Sequence, residues 1–136
     1  MSVKRIDHIA IVVPDLDQAT ALYQDVLGLK VAHAEQVAEQ EVIVACLPTG
    51  DSEVELIQPV NETSGVAKYL AKNGPGIHHI CLEVEDIEQS LADLKAAGMQ
   101  LINEQPTTGA GGKRIAFVHP KSTFGVLLEL YEAPRE

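Results

Sequence analysis

Two stretches of the chain match when the sequence is shifted by 71 residues: IDHIAIVVPDLDQA at 6–19 and IHHICLEVEDIEQS at 77–90. His8 then falls on His79, and Asp15 falls on Asp86. Each stretch opens with alternating apolar residues, which is typical of a strand, and then reaches an aspartate that can cap a helix. The chain is therefore expected to contain two similar modules.

The order of predicted elements repeats as well. In each half the strand leads into a helix that ends at a glycine, Gly28 or Gly98, where a left-handed residue costs little. Three shorter strands follow, so each half predicts a βαβββ module. The strands are expected at 4–13, 29–36, 41–47 and 53–59, and then at 77–85, 99–104, 114–118 and 125–132. The helices are expected to bury Leu16, Ala19, Tyr23, Val26 and Leu27 in the first module, and Ile87, Leu91 and Leu94 in the second.

We expect one α+β domain over residues 1–136, with module one at about 4–59 and module two at about 77–132. The modules are expected to form a curled mixed sheet with the helices on its outer face. The linker at about 60–76 is expected to hold one short helix near 64–72.

Composition limits the partners of this domain. Ten Lys and Arg residues against twenty Asp and Glu give a formal net charge of −10, which would repel a nucleic-acid backbone. The apolar runs IAIVV and VIVACL are much shorter than a membrane span, and no apolar secretion signal opens the chain. Cys46 and Cys81 lie in apolar runs and are expected to be buried thiols. We therefore expect a cytoplasmic protein that binds neither nucleic acid nor a membrane.

Strand parity selects four polar side chains. If the apolar residues Ile9 and Ile11 face the first helix, His8 faces the other way, and the same alternation turns His79 away from the second helix. The strands VELIQ at 54–58 and LELYE at 128–132 likewise turn one carboxylate each away from the helices, Glu55 and Glu129. His78 has the opposite parity, and His33 and His119 lie outside the matched positions.

Two imidazoles and two carboxylates at matched positions indicate a metal site. Buried without a cation, such groups would each lose several kcal/mol of solvation or be forced to neutralise. An octahedral Mn, Co, Ni, Fe or Zn ion would accept this ligand set and keep two positions for water or substrate. The expected ligands are His8, Glu55, His79 and Glu129, and the curled sheet would surround the ion.

The segments DHIAIVVPDL, HHICLEVEDI and HPKSTFGVLLEL resemble the vicinal-oxygen-chelate superfamily over nearly the whole chain. GIHHICLEV, GGKRIAFVHPKS and GVLLEL together are similar, more narrowly, to the methylmalonyl-CoA epimerase family. The resemblance implies a divalent metal held by the same four residues, a CoA thioester substrate and a homodimer. It also implies that (R)- and (S)-methylmalonyl-CoA are interconverted through a metal-stabilised enolate.

Inversion of an α-carbon needs an acid/base group on each face of the planar intermediate. The resemblance makes Glu129 one of them. Some members of the family place the second Glu on the third strand, where this chain has Val44. The acids Glu41 and Glu55 are the two remaining candidates for the second group.

A polyanionic CoA ester approaching an acidic protein should meet local cations. Lys113, Arg114 and Lys121 flank the glycine-rich turn TGAGGK, whose backbone amides can also meet phosphate, and are the expected CoA-binding residues. Two lysines of the linker helix, Lys68 and Lys72, share a face and are a weaker candidate.

Three other functions remain open for the same scaffold. A glyoxalase I-type lactoylglutathione lyase uses the same ligand types, although glyoxalases more often carry an acidic turn where this chain has HPKS. A non-catalytic binding module would be expected to have lost the four polar ligands. An extradiol dioxygenase needs two His, one carboxylate and a redox iron.

Overall fold

The computed structural model describes residues 1–134 and divides into two compact units. His8–His78 form one, here called the N-terminal unit. Met1–Asp7 join the chain from His79 onward in the other, the C-terminal unit. Each unit pairs helices with a mixed sheet, as expected for an α+β protein built from βαβββ modules.

The elements occur in the predicted order, although the second and eighth strands begin four and three residues later than expected. The strands are β1 Val3–Val12, β2 His33–Val37, β3 Val42–Thr49, β4 Ser52–Pro59, β5 Gly76–Val84, β6 Thr107–Thr108, β7 Arg114–Val118 and β8 Leu128–Glu132. The α-helices are α1 Leu16–Thr20, α2 Gly65–Asn73 and α3 Ile87–Ala96. A π-helical turn, Ala21–Val26, continues α1, and short 3₁₀ turns occupy Ala38–Gln40, Ala110–Gly112 and Pro120–Ser122.

The sheet of the N-terminal unit runs in the order β2-β3-β4-β1. β1 is parallel to β4, and the other neighbours are antiparallel. The face toward α1 carries the apolar core, with Val13, Ala45, Leu47 and Leu56 buried and Ile11, Leu16, Ala19 and Tyr23 packed against them. The predicted parity of the first strand is therefore confirmed.

The first helix departs from the prediction after Thr20. Over Ala21–Val26 it follows a π-helical course, and the amide of Leu27 donates to the carbonyl of Leu22, five residues back. The wider turn changes the angle between successive side chains, so the 3.6-residue pattern no longer applies. Val26 and Leu27, predicted to be buried, are 74% and 58% exposed. The predicted glycine end is confirmed, since Gly28 has φ +77°.

The sheet of the C-terminal unit repeats the plan in the order β5-β8-β7-β6. β5 is parallel to β8, and the other neighbours are antiparallel. The predicted helix contacts are confirmed: Ile87 and Leu91 are buried and Leu94 packs against their cluster, which includes Val84, Val118 and Leu130. The segment Met1–Asp7 is joined to this unit by a bond from the amide of Glu85 to the carbonyl of Ser2.

The strand predicted at 99–104 is wrong. Only a single bridge, Leu101 to Val118, forms there, and the short strand β6 lies a few residues later at Thr107–Thr108. Leu101 still packs against the core cluster, and the amide of Phe117 donates to the side chain of Asn103. A side chain has therefore taken a place that a backbone carbonyl would hold in a regular ladder.

Each helix that follows the first strand of a module is capped twice at its N-terminus. Asp15 and Asp86 accept hydrogen bonds from the amides of Gln18 and Gln89, as predicted. A second acceptor comes from the last strand of the same module. Gln58 of β4 accepts from the amide of Leu16, and Glu132 of β8 accepts from that of Ile87.

The linker helix is α2, which begins after Ser64 and is followed by Gly74. The side chain of Ser64 accepts a hydrogen bond from the amide of Ala67. No helix within residues 1–134 is long and apolar enough to cross a membrane.

Candidate functional site

His8 and Glu55 form a buried pair in the N-terminal unit. His8 Nε2 lies 3.5 Å from Glu55 Oε2, and the side chains are 8% and 11% exposed. Ala10 pairs with Glu55 across the parallel β1–β4 ladder, so His8, two residues before Ala10, projects from the same face. The thiol of Cys46 also approaches Glu55 Oε2, at 4.0 Å.

His79 and Glu129 form the corresponding pair in the C-terminal unit. His79 Nε2 lies 3.0 Å from Glu129 Oε1, and the side chains are 5% and 6% exposed. Cys81 pairs with Glu129 across the parallel β5–β8 ladder, which puts His79 on the same face. The ring of Phe117 meets His79 edge-on, with centroids 5.4 Å apart.

The two pairs have matching positions in their modules. In each, an imidazole of the first strand stands two residues before the partner of a carboxylate on the last strand. The third strand supplies the residue opposite that carboxylate, Cys46 in one unit and Phe117 in the other. These two residues are also 71 positions apart, so the internal repeat extends to the neighbours of the pairs. The predicted parity of all four polar residues is confirmed within each unit.

His78 and His119 lie apart from the two pairs, as the sequence predicted. His78 meets Tyr69 edge-on at 4.8 Å between ring centroids. His119 Nδ1 accepts a hydrogen bond from the amide of Lys121 and so caps the short turn at Pro120–Ser122, the predicted structural turn. Cys46 and Cys81 are buried free thiols, as expected.

The structure does not place Glu41 beside Glu55. Glu41 is exposed, has left-handed backbone with φ 56°, and accepts a hydrogen bond from Asn61 Nδ2 at 3.1 Å. It stands five residues before Cys46, the partner of Glu55, or about 16 Å along an extended strand. Val44, the position at which the resemblance implies a Glu in some members of the family, is buried.

Sequence reasoning missed a second polar pair on the same face of the N-terminal sheet. Glu35 pairs with Val44, and His33 pairs with Cys46, so both project from the face that carries Glu55. His33 Nε2 lies 2.9 Å from Glu35 Oε1, with the side chains 52% and 30% exposed. His33 and Glu35 are two positions apart in the sequence, so their side chains project from the same face of a strand. That spacing points to the site only once the register of β2 against β3 is known.

Of the three predicted CoA-binding cations, two are engaged by nearby groups. Arg114 bridges Glu88 and Glu132, and the pKa of its guanidinium is raised, chiefly by the hydrogen bond to Glu88. Lys113 lies over the ring of Tyr131 at 4.6 Å, and its Nζ is 4.0 Å from a carboxylate oxygen of Asp7. Lys121 is exposed on the turn at Pro120–Ser122.

Comparison with known proteins identifies the superfamily to which this chain belongs. A family model described as the glyoxalase/bleomycin resistance protein/dioxygenase superfamily matches residues 7–117. This chain of two βαβββ modules, each with a buried His–carboxylate pair, belongs to that superfamily.

Within the superfamily the chain is similar to named epimerases. It is 41% identical to the mitochondrial methylmalonyl-CoA epimerase of Homo sapiens, over 95% of this chain and 74% of the human protein. It is 41% identical to the ethylmalonyl-CoA/methylmalonyl-CoA epimerase of Cereibacter sphaeroides, over 93% of this chain and 96% of that protein. A structure of a single-residue variant of the Streptomyces coelicolor methylmalonyl-CoA epimerase, in complex with 2-nitronate-propionyl-CoA, matches with a TM-score of 0.92 and 40% identity. That match covers 97% of this chain and 96% of the Streptomyces chain.

Proposed function

We propose that this protein is an epimerase that interconverts (R)- and (S)-methylmalonyl-CoA. The observation that carries the proposal is the pair of matched, buried His–carboxylate sets, which occur in a chain about 40% identical to named methylmalonyl-CoA epimerases. Buried acids and imidazoles on strands are costly to a fold, and their recurrence at matched positions favours a chemical role.

The proposal includes one divalent metal ion bound by His8, Glu55, His79 and Glu129. The geometry within each pair fits such an ion. Two ligand atoms that are each about 2.1 Å from a metal and at right angles to each other are about 3.0 Å apart. The observed N–O separations are 3.0 Å and 3.5 Å. Mixed imidazole and carboxylate ligands suit Co, Mn, Ni, Fe or Zn.

When bound, the ion would act as a Lewis acid that stabilises negative charge on the substrate's oxygens as the α-proton leaves. Glu129 takes the α-proton on one face of the substrate and returns a proton there in the reverse direction. Its burial beside His79 and Phe117 keeps bulk water from competing for that proton. On the other face the thioester requires a second acid/base group.

The CoA portion is proposed to bind at the turn that carries Lys121. Lys113 and Arg114 stand among Asp7, Glu88 and Glu132, whose charges offset theirs. Lys121, exposed on the turn at Pro120–Ser122, is better placed in charge terms to meet phosphate. Lys121 is therefore the principal cation in this proposal.

The proposal also includes a homodimer in the cytoplasm. Leu22, Val26 and Leu27 expose apolar side chains along and just after the π-helical turn that continues α1, and a second copy of the chain would cover such a surface. The free thiols Cys46 and Cys81 suit a reducing compartment.

NMR of methylmalonyl-CoA with the purified protein in D₂O tests the proposal. Deuterium should enter the α-position, and each enantiomer should yield the other, only when both protein and divalent metal are present. A sample with the hemithioacetal of methylglyoxal and glutathione runs in parallel. Turnover of the hemithioacetal with no change in the CoA ester would identify a glyoxalase-type lyase instead. Binding of the CoA ester with no α-exchange would identify a binding module.

A further inference from the structure

We infer that Glu35, held by His33, is the second acid/base group of the epimerisation; this rests on the proposed function. Inversion needs a proton-transfer group on each face of the substrate. Glu129 is the proposed group on one face, and the group on the other face has yet to be assigned. Glu55 is proposed as a metal ligand, and Glu41 lies at an exposed turn bound to Asn61.

The sheet register puts Glu35 on the required face. Val44, at the position where a carboxylate would point toward Glu55, pairs directly with Glu35 of the neighbouring strand β2. Side chains of directly paired residues project from the same face. Glu35 therefore offers a carboxylate one strand further out at the same level of the sheet, while Val44 itself is buried and apolar.

The distance between Glu35 and Glu55, the proposed metal ligand on β4, leaves room for a substrate bound beside that ligand. Glu35 and Glu55 are two strands and two residues apart in register, which gives a Cα separation of about 12 Å from ordinary strand spacing and rise. Both side chains project above the same face. Only Cys46 and Val44 lie between them on β3, and neither carries a competing charge.

His33 gives Glu35 the proton that it must return. A carboxylate can return a proton only if a donor supplies one, and the ring N–H of an imidazole is such a donor. The 2.9 Å contact between His33 Nε2 and Glu35 Oε1 lets the two side chains hold one proton jointly. His33 is thus a positioning and proton-storing residue, and Glu35 is the group that meets the α-carbon.

The proton count of one inversion balances with these groups. Glu129 takes the α-proton and becomes a carboxylic acid, while the C–H electron pair stays on the substrate as its enolate. The His33–Glu35 pair then delivers its proton to the opposite face, which forms the new C–H bond. Inversion in the reverse direction, or exchange with solvent, restores both groups.

Single variants separate exchange from inversion in D₂O. Glu35→Gln should lower the rate of inversion by about 10²–10⁴-fold, the usual range for a lost general acid or base. The α-proton of one enantiomer should still exchange through Glu129, with retention of configuration, and Glu35→Asp should restore part of the inversion. His33→Gln should lower kcat for inversion at unchanged KM, by less than Glu35→Gln does. Glu39→Gln is the matched control, with the same charge change four residues along at an exposed site, and should behave as wild type.

Three other outcomes would contradict either the role of Glu35 or the proposed function on which it rests. Inversion at the wild-type rate in Glu35→Gln would show that another group serves the second face. Loss of metal stoichiometry or of the folded circular dichroism spectrum in Glu35→Gln would assign Glu35 a structural role. A wild-type protein that exchanges no α-proton in either enantiomer would remove the proposed function itself, and the two failures are therefore distinguishable.

Discussion

At the scale of single residues, the imidazoles of His8 and His79 are expected to matter for metal and little for the fold. Each stands on the face opposite the apolar cluster that packs against the helix of its unit. His8→Ala and His79→Ala should therefore each remove most of the metal affinity and leave a cooperative unfolding transition. Metal content after dialysis and calorimetric titration measure the loss. His78→Ala, next to His79 but of opposite parity, is the matched control, and full metal stoichiometry in both site variants would overturn the ligand assignment.

Glu129 is proposed both as a ligand and as a base. Glu129→Gln keeps the size and one oxygen ligand but removes the base. We expect metal to bind with reduced affinity and epimerisation to fall by about 10²–10⁴-fold. In D₂O one enantiomer should keep exchanging its α-proton through the other acid/base group. If both enantiomers exchange at the original rate and inversion persists, Glu129 acts as a ligand alone.

The sequence could identify both His–carboxylate pairs because strand parity is a local property. A residue's face follows from its neighbours two positions away, with no knowledge of which strand lies beside it. Cys46, Phe117 and Glu35 were not identifiable in this way. Their positions beside the pairs depend on the register between strands, which the pattern of a single strand does not contain.

At the scale of elements, the helix that follows the first strand depends on the last strand of its module for a cap. Ile87 is fully buried, and its amide donates a hydrogen bond to Glu132. The carboxylate of Glu132 also accepts a hydrogen bond from Arg114. Glu132→Gln keeps the acceptor, as Gln58 does in the other module, and should lower the free energy of unfolding only slightly, because it loses just the ionic bond to the exposed Arg114. Glu132→Ala removes both contacts and should cost about 2–4 kcal/mol.

Urea unfolding of the variants measures these differences. Glu88→Gln is the control, because it removes the charge of the other partner of Arg114 from an exposed position and should change stability by less than about 0.5 kcal/mol. Equal losses in Glu88→Gln and Glu132→Ala would show that the buried cap contributes nothing beyond a surface ion pair.

The elements that the sequence misplaced are those whose hydrogen bonds leave the regular pattern. The helix after Asp15 was predicted from a 3.6-residue period, and the π-helical turn at Ala21–Val26 breaks that period. The strand predicted at 99–104 has the apolar residues of a strand, but Asn103 takes over one acceptor position. The second cap of each helix could have been predicted from the sequence. Gln58 and Glu132 are 74 residues apart, the same separation as Glu55 and Glu129, and so occupy matching positions in the two modules.

At the scale of the whole molecule, a net charge of −10 opposes the approach of a polyanionic CoA ester. A cation near the CoA portion attracts the ester, whereas the net charge of the protein repels it. Salt screens both the attraction and the repulsion. The screening length falls from about 30 Å at 0.01 M to about 3 Å at 1 M ionic strength. The contribution of one exposed cation to CoA binding should therefore disappear at high salt.

Lys121→Gln tests that contribution with a fixed change in net charge. At low ionic strength KM for the CoA ester should rise by about 2–5-fold, as expected for one exposed ionic contact, with kcat unchanged. The ratio of variant to wild-type KM should fall toward one as salt is added. Lys95→Gln makes the same change of net charge on α3, where Lys95 pairs with Glu104, and isolates the background repulsion. If the two variants raise KM equally, Lys121 acts only through net charge, and a fall in kcat at constant KM would instead place Lys121 near the reacting carbon.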